Sequence, residues 1–361
     1  MIEEILSVGI DIGTSTTQLV FSRISIENTA SFTSVPRICI ISKEVVYRSE
    51  IYFTPLVSQT EIDGLSLKAI LQSEYEKAGI KPGDIKTGVA IITGETARKK
   101  NASQVMEMLS GLAGDFVVST AGPDLEGIIA GKGSGAQQLS RESGRVVANL
   151  DIGGGTTNIA IFRNGEVIDT CCLDIGGRLI KLAEGSLVVQ YIAPKLKKLI
   201  KELGIDIEIG RTASVRGLRE VTARMAGILE EVLGLSDKTT GLSTMLTAQD
   251  LKLGYKIDYI SFSGGVADYI YGSPGDRIFR FGDIGILLGE SIKESMILRK
   301  FESSVPAETI RATVIGAGTH TVDISGSTIN YTRDVFPVKN VPILKLAAID
   351  EGDNYERVAE A

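Results

Sequence analysis

The 361-residue chain reads as an α/β protein of two duplicated lobes, each a mixed sheet with helices on both faces, with a cleft between them. Three observations carry this reading. A short segment occurs twice: Ile10-Asp11-Ile12-Gly13-Thr14-Ser15-Thr16-Thr17-Gln18 parallels Leu150-Asp151-Ile152-Gly153-Gly154-Gly155-Thr156-Thr157-Asn158, with five identities and chemically equivalent residues at both ends. Each copy follows an apolar run and precedes an alternating strand (TQLVFSRISI, TNIAIF), the pattern of a β-hairpin. Glycine stands at 40 positions and clusters, so it marks local backbone demands.

The remaining elements follow from apolar period and turn residues. Beyond the first hairpin come the strand-like VPRICIIS and EVVYRSEIYF and a helix near Ser66–Ala78. A strand at Thr87–Thr93, a helix over about Ala102–Leu112, a strand at Asp115–Ser119 and a helix from Pro123 onward complete that half. The segment GKGSGAQQLSRESG at 131–144 leads to the second half; its Gly131–Gly135 stretch lacks the Gly-Lys-Ser/Thr ending of a P-loop and reads as a hinge loop. Past the second hairpin, a third strand (Glu166–Leu173) precedes amphipathic segments at Gly177–Leu203 and Ser214–Leu233. A strand at Tyr259–Ser263 and a helix over about Ile284–Arg299 follow. In the last sixty residues IRATVIGAG reads as a strand into a glycine turn, TVDISGSTINY as a hairpin, and Asn354–Ala361 as a helix too short to stand alone, as in a fragment of a longer protein. The expected divisions are 1–144, 145–305 and a truncated C-terminal segment, 306–361.

Composition removes several function classes. With 38 Lys+Arg against 45 Asp+Glu and no long basic run, nucleic acid is excluded as a partner. No window reaches the roughly 18 apolar residues of a membrane span, so the chain is read as cytoplasmic, without membrane attachment. Cys39, Cys171 and Cys172 form no CxxC pair, and one histidine, His320, cannot build a His/Cys zinc site. His320 lies in Gly-Thr-His-Thr without a nucleophile elbow, and is expected at a loop or strand end. Cys171-Cys172 in VIDTCCLDI are expected to be buried on a strand. Gly316-Ala317-Gly318 lacks the third glycine of a dinucleotide-binding turn, since Thr321 stands there.

A phosphate chain needs several N–H donors converging on one spot, and a Gly/Ser/Thr turn supplies them. Two such turns facing each other would grip phosphates from both sides: Gly13, Thr14, Ser15, Thr16 and Thr17 from one, Gly153, Gly154, Gly155, Thr156 and Thr157 from the other. Asp11 and Asp151, at the ends of their strands, are candidate catalytic residues and holders of hydrated Mg²⁺, which favours one or two carboxylates plus waters and phosphate oxygens. The alternative is that each aspartate accepts N–H bonds within its own turn.

This pattern resembles the superfamily of actin, sugar kinases and heat-shock chaperone ATPases, whose actin-like, ribonuclease H-like lobes hold a nucleotide between them. By that resemblance the hairpins are the phosphate-1 and phosphate-2 elements. Tyr259–Ala267 is the adenosine element, with Ser263, Gly264, Gly265 and Val266 at the nucleoside. Ala121–Gly131, with Pro123 and Asp124, is similar to the connecting helix, and Asp174-Ile175-Gly176-Gly177 to the hinge-side turn of the second lobe.

A closer resemblance lies in Ile92–Ala102 (ITGETARKKNA), Thr120–Asp124 (TAGPD) and Asn149–Asn158 (NLDIGGGTTN), which are similar to the EutA family of ethanolamine utilisation proteins. That resemblance implies a chaperone-like ATPase using ATP and Mg²⁺. Its partner is ethanolamine ammonia-lyase, which it helps to release damaged cobalamin so that adenosylcobalamin can enter. It also implies a cytoplasmic site of action with a bacterial microcompartment as a candidate location, and it leaves homo-oligomerisation open. The chain has no Asp-x-His-x-x-Gly motif, so the partner is expected to carry the cobalamin. A small-molecule kinase or an actin-like filament protein fits the same cleft. A kinase needs a carboxylate beside its acceptor, for which Asp124, Glu95 and Asp174 are candidates. Since no arginine stands inside either hairpin, hydrolysis is expected to be slow.

Overall fold

In a computed structural model the described residues are 2–320 apart from 14–15, 29–37, 59–60, 94–95, 97–99, 111–115, 121, 248, 274, 276 and 307, and all of them fall in one compact unit. Thr14, Ser15, Glu95, the hairpin expected in TVDISGSTINY and the helix expected at Asn354–Ala361 lie outside them.

The first repeat folds as β1 (Ile2–Ile12) and β2 (Thr16–Asn28), antiparallel with Ile12 opposite Thr17 and Asp11 opposite Gln18. The expected pair of strands across 35–53 is instead one long strand, β3 (Ile38–Arg48), and the short β4 (Tyr52–Phe53), both paired to β2. Strands β5 (Leu56–Ser58) and β6 (Glu61–Ile62) make a small ribbon before α1 (Gly64–Ala78). Asp63 caps α1 by accepting from Ser66 N, and Gly79 ends it with φ 67°. Then come β7 (Ile85–Ile92), α2 (Ala102–Ser110) and β8 (Phe116–Thr120). The sheet order is β3-β2-β1-β7-β8, with β1 and β7 parallel.

The linking segment is helical where a hinge loop was expected. Helix α3 (Pro123–Gly133) runs through Gly131 and Gly133, and α4 (Ala136–Ser143) starts after Gly135 at φ 89°. These glycines serve close approach: a Cβ on Gly131 would lie 2.4 Å from the Phe162 ring, and one on Gly133 1.8 Å from the Ala312 carbonyl oxygen.

The second repeat forms β9 (Val146–Ile152) and β10 (Thr157–Arg163), followed by β11 (Glu166–Leu173), where Cys171 and Cys172 are buried as expected. The amphipathic stretch read across 177–203 is helical only at its end. Its first part is a ribbon, β12 (Ile180–Leu182) with β13 (Val189–Ile192), because Ile180 and Leu182 alternate inward around an exposed Lys181; α5 (Pro194–Glu202) follows. Helices α6 (Val215–Val232) and α7 (Thr240–Met245) lead to β14 (Tyr259–Ser263) and α8 (Ala267–Tyr271). The helix expected over 284–299 breaks into α9 (Gly285–Glu294) and α10 (Ile297–Lys300). The Ser295 hydroxyl donates to Ile292 O and accepts from Ile297 N, competing with the helical ladder. With β15 (Glu302–Ser303), the second sheet is ordered β11-β10-β9-β14-β15, and β9 and β14 are parallel like β1 and β7. The two-lobe, duplicated α/β reading is the architecture found.

The segment IRATVIGAG is a helix, α11 (Ala312–His320), where a strand and turn were expected, and His320 ends it. Ala312, Val314 and Ala317 are fully buried, and α11 packs on β1, β2 and β7 on one side and on α3 on another. A β-branched run wrapped by protein on several sides carries no helical polar face, so its period misleads and tertiary packing decides. Helix α3 packs on β9, β10 and β11, so the α3–α11 crossing joins the two sheets. Among the described residues no helix is long and apolar enough to cross a membrane.

Candidate functional site

Both hairpin turns close with the same bond: Gly13 N donates to Thr16 O at 2.9 Å and Gly153 N to Thr156 O at 3.0 Å. Each turn is then pinned from outside its hairpin. The Gly13 carbonyl accepts from the hydroxyls of Thr54 (2.8 Å) and Thr96 (3.1 Å), while the Gly153 and Gly154 carbonyls accept backbone N–H bonds from Gly177 (3.0 Å) and Arg178 (2.7 Å). Gly176 makes the second arrangement possible, since a Cβ there would sit 2.5 Å from the Gly154 carbonyl.

The two turns face one cleft of ≈ 1550 Å³, whose lining includes Asp11, Gly13 and Thr16 from the first lobe and Asp151, Gly153, Gly154, Gly155 and Thr156 from the second. Gly177, Gly264, Gly265 and Val266 also line it. Other candidates do not. Thr17 is buried with its hydroxyl on that of Thr54, and Thr157 donates to Ile175 O, so both side chains are engaged inside the fold. Ser263 lies beneath the cleft with its hydroxyl on Asp151, and Gly176 is buried under the turn. Pro123 and Asp124 open α3 outside the lining, with Asp124 exposed, and Asp174 pairs with Lys195 at 2.6 Å.

The aspartates dominate the electrostatics of the floor. Asp11 and Asp151 are 8% and 5% exposed. Burial, and then the neighbouring Asp151 carboxylate, push the Asp11 carboxyl up to about 7 despite a 3.2 Å bond from the Thr93 hydroxyl. Burial raises Asp151 to about 6, although its oxygens accept from Ser263 (2.6 Å) and Thr313 (3.4 Å). A file of buried donors points at Asp151: Ser134 donates to Asn149 Oδ1 (2.9 Å), Asn149 Nδ2 to Ser263 (3.0 Å), and Ser263 to the carboxylate. Across from each aspartate in register stand Gln18 and Asn158, and Gln18 Oε1 and Asn158 Oδ1 are both buried without a hydrogen-bond partner. Among the described residues no three His, Cys, Asp or Glu side chains gather to cage a metal ion. Two carboxylates lining the cleft, with the orphaned Gln18 acceptor on the same lining, fit a hydrated Mg²⁺, whose waters would donate to these oxygens, while Asn158 lies off the lining.

Several cleft residues escaped sequence reasoning, Glu126 and Arg178 foremost among the charged ones. Glu126, in the first turn of α3, is buried and lines the cleft, a position legible only as a carboxylate near a helix start. Arg178 also lines it, its one sequence signal being that it follows the Gly176-Gly177 pair. The Arg280 guanidinium lies over the rings of Tyr269 (5.4 Å) and Phe281 (5.0 Å), and all three line the same cleft as Gly264 and Gly265.

Comparison with known proteins adds to this geometry. The family model described as Ethanolamine utilisation protein EutA matches residues 3–361. The chain is 42% identical over 342 residues to the ethanolamine ammonia-lyase reactivase EutA of Salmonella typhimurium, covering 94% of this chain and 72% of that protein. It is 40% identical over 350 residues to the Escherichia coli reactivase of the same name, covering 97% and 74%. Among solved structures, an Aquifex aeolicus member of the Ppx/GppA protein family aligns at 16% identity over 90% of this chain and 100% of its own, with a TM-score of 0.50. A likeness at that identity bears on fold alone, and the fold it supports is the actin-like, two-lobed one.

Proposed function

This chain belongs to the ethanolamine utilisation protein EutA family, and on that premise we propose that it is an ATP- and Mg²⁺-dependent reactivating factor for ethanolamine ammonia-lyase. In this reading it exchanges damaged cobalamin for adenosylcobalamin on the lyase, which carries the cofactor. One observation supports the nucleotide part above others: two like Gly-Thr turns, each with a buried aspartate at its base, line one cleft.

Gly13 N and Gly153 N close their turns, so phosphate oxygens are received by backbone N–H groups that those bonds leave unspent, Gly154 and Gly155 among them. Asp11 and Asp151 would hold the hydrated cation, whose charge would favour the ionised forms that burial, and for Asp11 also the neighbouring carboxylate, disfavours. When bound, Mg²⁺ supplies positive charge to the phosphate oxygens. Glu126 is the cleft carboxylate placed to orient an attacking water. Gly264, Gly265 and Val266 seat the nucleoside, with the Arg280, Tyr269 and Phe281 stack as a surface for its base. The lobes, 1–144 and 145–305, turn about the α3–α11 crossing as the cleft closes, changing the surface offered to the lyase.

The test is recovery of lyase activity. Ethanolamine ammonia-lyase blocked with hydroxocobalamin or cyanocobalamin is incubated with the protein, ATP, Mg²⁺ and adenosylcobalamin. Activity should return only when all are present. Recovery that is equal without ATP, or absent in the complete mixture, refutes the proposal.

A further inference from the structure

Arg178 is fixed at the tip of the second turn by its own backbone, since Gly177 N and Arg178 N bond Gly153 O and Gly154 O. Its side chain, 21% exposed, extends into the cleft and makes two contacts. Nε donates to Asp283 Oδ2 at 3.2 Å, and the flat face of the guanidinium lies 4.7 Å from the ring centre of Phe53. Phe53 belongs to β4 on the first lobe's sheet, is 65% exposed and lines the same cleft. A guanidinium carries five N–H donors in one plane, and stacking uses only its face. Asp283 takes the Nε donor, while the Nη1 and Nη2 donors have no acceptor among the described residues. The arrangement is thus a planar cation with its face on one lobe, its backbone on the other, and an unspent donor edge beside the turn. Such an edge matches two oxygens of a phosphate group.

Resting on the nucleotide reading above, we infer that Arg178 grips the terminal phosphate of a nucleoside triphosphate, and that Phe53 holds the guanidinium in plane for it. Because the supporting ring comes from the opposite lobe, the grip is complete only with the cleft closed. A diphosphate, one phosphoryl group shorter, leaves the Nη edge unused. The cation absent from both hairpins in the sequence is therefore delivered from the glycine turn that follows β11.

The experiment compares dissociation constants of a non-hydrolysable ATP analogue and of ADP, both with Mg²⁺, for the full chain and for Arg178→Ala, Arg178→Lys and Phe53→Leu, by isothermal titration. Arg178→Ala should weaken the triphosphate by about 10- to 100-fold, the range for losing a hydrogen bond between charged groups, while ADP affinity holds within about twofold. Arg178→Lys, which keeps the charge and loses the fork, should recover only part of that preference. Phe53→Leu should cost the triphosphate about two- to fivefold, as expected for an exposed cation–π contact. A triphosphate-to-diphosphate ratio equal to wild type in both Arg178 variants overturns this assignment and leaves the nucleotide reading standing. A wild-type chain that binds neither nucleotide overturns the nucleotide reading, and Arg178's role with it.

Discussion

Replacing Asp11 by asparagine should make the ligand-free protein more stable while removing what the carboxylate is there to do. The Asp11 carboxyl is raised from 3.8 to about 7, first by burial and then by Asp151. About three pH units at 1.36 kcal/mol each mean that ionising Asp11 in the fold costs about 4 kcal/mol more than in the unfolded chain. A raised folded value gives a contribution present below pH 3.8 and lost as pH climbs through about 7. An asparagine never ionises and can still accept from Thr93. Its advantage over wild type therefore grows between those limits and levels off above them, and should be about 2–3 kcal/mol larger at pH 8 than at pH 5. Urea unfolding of both proteins at the two pH values, without nucleotide, measures this. The same variant should lose Mg²⁺-dependent tightening of nucleotide binding. Equal stability differences at both pH values, or a variant less stable at pH 8, would refute the account of a buried, repelling carboxylate pair.

Two further substitutions address the hinge and the chemistry. Gly316→Ala places a Cβ 1.9 Å from the Ile129 carbonyl oxygen, so α11 must back away from α3. Overpacking of this kind costs about 1–3 kcal/mol, and a wild-type unfolding midpoint would show that the helices are not in backbone contact. Glu126→Gln keeps the side chain's size and removes its basicity. Steady-state ATPase assays should show kcat falling by about 100-fold with Mg²⁺-nucleotide affinity nearly unchanged, and an unaltered kcat would exclude Glu126 from the reaction.

Much of the fold was legible because the hairpins announce themselves locally. Strands around Asp11 and Asp151 alternate or run fully buried, and their Gly-Thr turns are short, so register follows from a few residues. What misled was glycine. In Gly133 and Gly316 the missing side chain serves helix crossing at backbone distance, in Gly131 it makes room for the Phe162 ring of β10, and a sequence cannot distinguish either from a loop before the partner surface is known. The cleft was legible as a pair of turns, but its other residues arrive by long-range contact. Glu126 reaches it along α3, and Arg178 by backbone bonds to a turn 24 positions earlier. The expectation of slow hydrolysis considered arginines inside the hairpins only, and the structure places one beside the second turn from outside it.

The two aspartates, alike in sequence, are not alike in what holds them. Asp11 is steadied by Thr93, which follows β7 in its own sheet. Asp151 is held from two directions. Its Oδ1 takes the last donor of the Ser134, Asn149 and Ser263 file, which begins at the C-terminal cap of α3, and its Oδ2 takes Thr313 from α11, which packs on the first lobe's sheet. The residue before Thr313, Ala312, is the one Gly133 meets at the crossing. Any change in the crossing angle therefore moves one donor of Asp151 relative to the other, and hydrogen bonds weaken steeply once their angle closes. The duplicated fold thus has one carboxylate whose hydroxyl donor comes from its own sheet and one whose donors come from both sides of the α3–α11 crossing, the arrangement that the proposed coupling between cleft contents and lobe closure calls for.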